Sequence, residues 1–114
     1  MIRIHFAFFF KHAKKYLASA LSVRIFSSVM EFLHSRFHLT PHERVRITLN
    51  SQANVRLMDD NNFHQFKRGG QHRYYGGHAK ESPVVLGPPH SGFWNVVVDL
   101  GGYSGSVRAS VAKI

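Results

Sequence analysis

The chain has 114 residues, a formal net charge of +9, nine histidines and no cysteine. This length suits one domain with a modest core, and the lack of cysteine excludes disulfides, thiolate zinc sites and a cysteine nucleophile. The excess of positive charge favours anionic partners such as nucleic acid, acidic lipid or a phosphorylated ligand.

The first segment, residues 1–29, differs in composition from the rest of the chain. It contains five of the fifteen basic residues, no acidic residue, no glycine and no proline. Its longest apolar run is about five residues, whereas a transmembrane helix needs roughly twenty, so no transmembrane segment is predicted. The apolar residues Leu17, Leu21, Ile25 and Val29 recur at helical spacing, which predicts a basic amphipathic helix.

Three interpretations of this segment are open. A helix lying on a membrane surface or on a partner would use the apolar stripe and the lysines. An acid-poor segment rich in arginine and serine also suits a targeting signal. We favour the third interpretation, in which Met30 is the natural start, so that residues 1–29 form an extension and residues 30–114 form the domain.

Apolar and polar residues alternate from Arg44 onward, which is typical of half-buried strands. The clearest segments are RVRITL, ANVRLMD, FWNVVVDL and SVRASVAKI, and SPVVL and HRYY are further candidates. In FWNVVVDL the alternation sets Asn95 and Asp99 on the face opposite to Trp94. The glycine-rich stretch GGYSG suits the loop of a hairpin. Together these segments predict an all-β fold, an antiparallel β-sandwich or a small barrel.

One short helix is predicted at about residues 60–68, within DDNNFHQFKRGG. An aspartate or asparagine among residues 59–62 can cap its start, Phe63 and Phe66 share one face, and Gly69 suits a left-handed end. We expect this helix to lie over one end of the sandwich.

Four stretches carry a family resemblance: Asn54 to Phe63, Tyr74-Tyr75-Gly76-Gly77, Ser82-Pro83, and Gly92 to Gly105. Through them, the sequence from about Met30 to Ile114 resembles the bacterial family called domain of unknown function 1883. Members similar to this chain occur alone or ahead of a Toll/interleukin-receptor-like effector domain. The resemblance therefore implies a sensing or recruiting role.

The acidic and histidine clusters do not predict a metal site. Residues 59–62 lack the ligand order of a calcium loop, and helix capping accounts for them. His34, His38 and His42 are spaced as on one helix face, but Pro41 would break that helix. There is no nucleophile elbow, triad order or phosphate loop, so an enzyme is the third hypothesis and no metal or cofactor is predicted.

The stretch GGQHRYYGGHAKESP, residues 69–83, is the strongest candidate for a site. Backbone geometry explains its glycine pairs, but not the two tyrosines beside Arg73 and His78. These side chains suit a small anionic or nucleotide-like ligand; alternatively, one tyrosine belongs to the core and the other to its rim. We expect the site at one end of the sandwich. The candidate ligand-binding residues are Asp59, Asp60, Asn62, Arg73, Tyr74, Tyr75, His78 and Tyr103.

These observations predict a non-catalytic ligand-binding or sensing module in the bacterial cytoplasm, with a small ligand or a protein as its partner. The alternative is a single-stranded nucleic-acid-binding protein, since basic and aromatic residues interleave in FKRGGQHRYYGGH. Against this alternative, the adjacent Tyr74 and Tyr75 would point to opposite faces of a strand, so only one can join a stacking platform.

Overall fold

The computed structural model describes residues 2–6, 22–25, 31–103 and 105–114, of which residues 2–6, 22–25 and 31 are described by backbone alone. Nine strands and one helix follow one another within these ranges. They are β1 (Ile2–Phe6), β2 (Ser22–Ile25), β3 (Glu31–Leu39), β4 (Val45–Leu49), β5 (Ala53–Asp59), α1 (Asp60–Lys67), β6 (Tyr75–Ala79), β7 (Val84–Leu86), β8 (Gly92–Asp99) and β9 (Gly105–Lys113).

The described strands form two sheets that pack face to face. The four-stranded sheet has the order β1-β9-β4-β7, and the five-stranded sheet has the order β2-β3-β8-β5-β6. Only β1 and β9 pair in parallel, and the other described pairs are antiparallel. Alternate residues of the strands fill the space between the sheets, including Ile47, Val55, Val96 and Val107. The prediction of an all-β sandwich with one short helix is confirmed.

The helix α1 covers the outer face of the five-stranded sheet rather than one end of the sandwich. Its buried side chains Phe63 and Phe66 pack against Phe32, Met58 and Val97, which point away from the main core. The outward positions of β3, β5 and β8 carry these apolar residues among polar ones, and the helix shields them from water. No helix within the described ranges is long and apolar enough to cross a membrane.

Both ends of α1 lie where the capping residues in the sequence predict them. Asp59 is the N-cap, and its Oδ1 accepts a hydrogen bond of 2.8 Å from the backbone N–H of Asn62. Gly69, with φ of +73°, follows the last turn in the left-handed conformation that glycine tolerates best. The helix predicted over about residues 60–68 is confirmed at Asp60–Lys67.

The basic amphipathic helix predicted from Leu17 to Val29 is not confirmed, because the described part of that stretch, Ser22–Ile25, is the strand β2. β3 is a nine-residue strand that pairs antiparallel with β8. β2 pairs with β3, and β1 pairs with β9. Long-range pairing with strands near the C-terminus decides these segments, and a local helical spacing cannot reveal it. A helix in residues 7–21 or 26–30 lies outside the described residues, and the start at Met30 stays a prediction.

Two further expectations about the strands were wrong. The stretch GGYSG does not close a hairpin, because β8 and β9 belong to different sheets and the chain crosses between them there. The tentative strand HRYY is displaced, because β6 begins only at Tyr75 and runs to Ala79. Both errors come from reading sequence neighbours as spatial neighbours.

Candidate functional site

Seven of the eight predicted site residues are divided between two clefts at opposite ends of β5, and Asp60 lies in neither. Asp59, at the end of β5, lines what we call the aromatic cleft, together with Asn62, His72, Arg73, Tyr74, Tyr75, His90 and Trp94. Asn54, near its beginning, lines what we call the amide cleft, together with Gln52, His78, Leu100 and Tyr103. Five residues of strand separate Asn54 from Asp59, or about 17 Å. The residues that were expected to form one site therefore line two separate clefts.

The aromatic cleft is built around the side-chain amide of Asn62. Its Oδ1 accepts a hydrogen bond of 2.8 Å from the backbone N–H of Arg73, and its Nδ2 donates one of 2.9 Å to Asp59 Oδ1. The first turn of α1 thus holds the segment that carries the tyrosines. Within the described residues, Asp59 Oδ2 and the Arg73 guanidinium have no hydrogen-bond partner. A carboxylate oxygen and a cation therefore remain available to a ligand in one cleft.

Aromatic side chains form the walls of this cleft, whose volume is about 570 Å³. Tyr74 and Tyr75 are 42% and 49% exposed, so neither tyrosine belongs to the core. The ring of Tyr75 meets the buried Trp94 edge-on at 6.2 Å, and Trp94 Nε1 donates to the carbonyl of His90 at 3.1 Å. The hydrogen bond fixes the Trp94 ring, and the Tyr75 ring packs against it.

Behind Tyr74 lies a buried ion pair that the sequence analysis missed. The Arg56 guanidinium pairs with Asp99, and its carbon lies 5.1 Å from the ring centre of Tyr74 and 5.5 Å from that of Phe66. Asp99 is fully buried. Alternation correctly set Asp99 on the face opposite to Trp94, but it does not show that Arg56, Asn54 and the following loop cover Asp99 there. The sequence feature that points to this buried ion pair is an aspartate inside the apolar run VVVDL.

Asp60 lies outside both clefts and has a structural role. Its carboxylate forms two hydrogen bonds with Arg36, of 3.0 and 2.7 Å, and Oδ1 also accepts one of 2.8 Å from Asn95 Nδ2. The hydrogen bonds from Arg36, and less so that from Asn95, lower the pKa of Asp60. The start of α1 is thereby fastened to β3 and β8.

We expect Asp60→Asn to lower the urea midpoint of unfolding slightly at pH 7. The pKa of Asp60 is lower in the folded chain than in the unfolded chain, so the ionised carboxylate stabilises the fold at pH values above the unfolded-state pKa. This stabilisation is lost as the pH falls through the folded-state pKa. The difference in urea midpoint between Asp60→Asn and wild type should therefore become smaller between about pH 4 and pH 2. Glu81→Gln, at an exposed acid, is the control and should change little at either pH. A difference that stays constant with pH would contradict a charge effect.

Among the residues that the structure describes, no three histidine, aspartate or glutamate side chains converge to hold a metal ion. His72 and His90 lie at the aromatic cleft, whereas His78 lies at the amide cleft. His78, in β6, is therefore separated from His72 and His90 by the same length of β5 that separates the clefts.

Two sheets packed face to face, with a helix over the outer face of one of them, define a β-sandwich domain. The chain belongs to the family described as domain of unknown function (DUF1883), whose model matches residues 30–114. The resemblance found in the sequence is thereby confirmed. No curated protein and no solved structure matches the chain.

Proposed function

We propose that this domain is a non-catalytic binding and sensing module of the cytoplasm, and that the aromatic cleft takes a small ligand with a planar ring and an anionic group, as in a nucleotide. One observation carries the proposal: the Arg73 guanidinium, which has no partner among the described residues, and two half-exposed tyrosines line the same cleft. Its volume lies within the range of small-molecule sites, about 300–1,000 Å³.

Each part of such a ligand has a matching group in the cleft. A planar ring can stack on Tyr75, whose position Trp94 supports. An anionic group can pair with Arg73, which offers a fork of N–H donors. Asp59 Oδ2 can accept a hydrogen bond from a ring N–H, as an amide or amino group of a base would provide.

Sensing follows from the way the cleft is assembled. The segment around Arg73 is tied to α1 by the hydrogen bond from its backbone N–H to Asn62. A ligand that joins Arg73 to Asp59 would add a second link between this segment and the helix. A ligand in the aromatic cleft would then make the exposed segment around Arg73 less mobile. A partner protein that binds this segment could distinguish the occupied domain from the empty one.

The test is thermal unfolding of the full chain with nucleotides, dinucleotides and short oligonucleotides. A nucleotide at about a hundred times its dissociation constant should stabilise the fold by roughly 2.7 kcal/mol, a shift of several degrees. Tyr75→Ala and Arg73→Ala should abolish the shift. Tyr103→Ala in the amide cleft and Arg108→Ala on β9 are the matched controls, and both should keep it.

Two results would contradict this proposal. A shift with oligonucleotides alone, falling steeply with salt, would favour the single-stranded nucleic-acid-binding alternative. A stable fold that responds to no nucleotide or oligonucleotide would favour a protein partner instead.

A further inference from the structure

The amide cleft is a second cavity, of about 480 Å³, at the end of β5 remote from the aromatic cleft. Its floor is apolar, formed by Ala53 and Leu100, and its polar wall is formed by Gln52, Asn54 and His78. No aspartate, glutamate, lysine or arginine is among the described residues that line it. A charged ligand would lose its hydration there without gaining a counter-charge, so the cleft suits a neutral one.

The polar wall is held in one arrangement by Asp99. Asp99 Oδ1 accepts a hydrogen bond of 3.0 Å from Asn54 Nδ2, which turns Asn54 Oδ1 toward His78 Nδ1 at 3.2 Å. His78 Nε2 in turn lies 3.1 Å from Gln52 Oε1. The side chains of Asn54, His78 and Gln52 thus form one hydrogen-bonded series along the cleft.

The same carboxylate oxygen also positions the opposite wall. Asp99 Oδ1 accepts a hydrogen bond of 2.7 Å from the backbone N–H of Gly101, where the loop that carries Tyr103 begins. The loop closes through a hydrogen bond of 3.1 Å from the Tyr103 N–H to the Leu100 carbonyl. Both walls of the cleft therefore depend on one buried group, which sets them before any ligand arrives.

Tyr103 is the most exposed large hydrophobic side chain in the described part of the domain, at 78%. Its ring borders a cleft whose floor is apolar, so a bound molecule would meet an aromatic face and an aliphatic floor together. The side-chain amides of Gln52 and Asn54 carry both N–H donors and carbonyl acceptors, which is what hydroxyl groups require.

We propose that the amide cleft binds a neutral carbohydrate, as a single pyranose unit. A pyranose has an apolar face of C–H groups, which fits the ring of Tyr103 and the floor, and equatorial hydroxyls, which fit the side-chain amide of Gln52. This site shares no lining residue with the aromatic cleft, so the proposal stands or fails independently of the nucleotide-like ligand.

The test is saturation-transfer NMR on the full chain with glucose, galactose, mannose and N-acetylglucosamine. We expect at least one of them to bind with a dissociation constant of about 1 mM, typical of a small contact area. Tyr103→Ala should raise the dissociation constant by about five- to tenfold, and adding Gln52→Ala to that variant should raise it again. Tyr75→Ala makes the same truncation in the aromatic cleft and should leave sugar binding unchanged.

Because Tyr103 is so exposed, Tyr103→Ala should unfold at the wild-type temperature, so that a change in binding is not a change in folding. The proposal is overturned if none of the four sugars gives a signal at about 50 mM, well above the expected dissociation constant. It is equally overturned if the sugar signal survives both Tyr103→Ala and Gln52→Ala, or if the cleft takes a charged nucleotide instead.

Discussion

Asp99→Asn is expected to lower the free energy of unfolding by about 3–5 kcal/mol. Asp99 is fully buried, pairs with Arg56 and accepts hydrogen bonds from Asn54 and the Gly101 N–H. Asparagine keeps the shape but removes the charge, so the Arg56 guanidinium is left between Phe66 and Tyr74 without a counter-ion. Urea unfolding followed by circular dichroism measures the loss.

A second variant separates the lost charge from the lost hydrogen bonds. Replacing Arg56 by methionine in the Asp99→Asn chain removes the unpaired cation and fills its space with an apolar side chain, so part of the lost stability should return. Within the described residues, Arg56 Nε is buried with no hydrogen-bond partner, which is a further reason to expect this recovery. A loss below about 1 kcal/mol in Asp99→Asn would show that water reaches the guanidinium.

Gly76→Ala is the other change with a large expected effect. A Cβ at this position would lie 2.2 Å from the carbonyl oxygen of Val55 on the neighbouring strand, and the backbone has φ of +115°. Relief would need both a backbone rotation and a shift of β6 away from β5. We expect a loss of about 3–5 kcal/mol in the free energy of unfolding, from backbone strain together with overpacking.

Gly77→Ala is the matched control for this variant. Gly77 also has a positive φ, of +151°, but a Cβ there would meet nothing within 4 Å. It should therefore cost only the backbone strain, about 1–3 kcal/mol, and the difference between the two variants isolates the clash. Equal losses would mean that β6 moves freely enough to relieve the contact.

The strands of the sandwich were predictable because their inward residues alternate strictly. Val45, Ile47 and Leu49 in β4 are buried while the residues between them are exposed. In β8 the same rule succeeds for the inner face and fails for the outer one, since Asn95, Val97 and Asp99 are also buried. Alternation reports which residues share a face, but not what later covers that face.

The candidate site was predictable in composition but not in arrangement. The tyrosines, Arg73 and Asn62 do meet in one cleft, as their closeness in sequence suggests. His78 follows Tyr75 by three residues of an extended strand, about 10 Å, and this carries it to the other cleft. The part played by Asp99 was hidden because its partners come from β5 and from the following loop.

The two glycines of β6 also bear on how these molecules behave at high concentration. β6 is the last strand of the five-stranded sheet among the described residues, and such a border can recruit a strand from another molecule and begin aggregation. Positive φ at Gly76 and Gly77 makes the backbone depart from regular strand geometry along that border, although both residues pair one-to-one with β5. The irregular backbone therefore acts against self-association, and restoring a regular strand there would remove that protection.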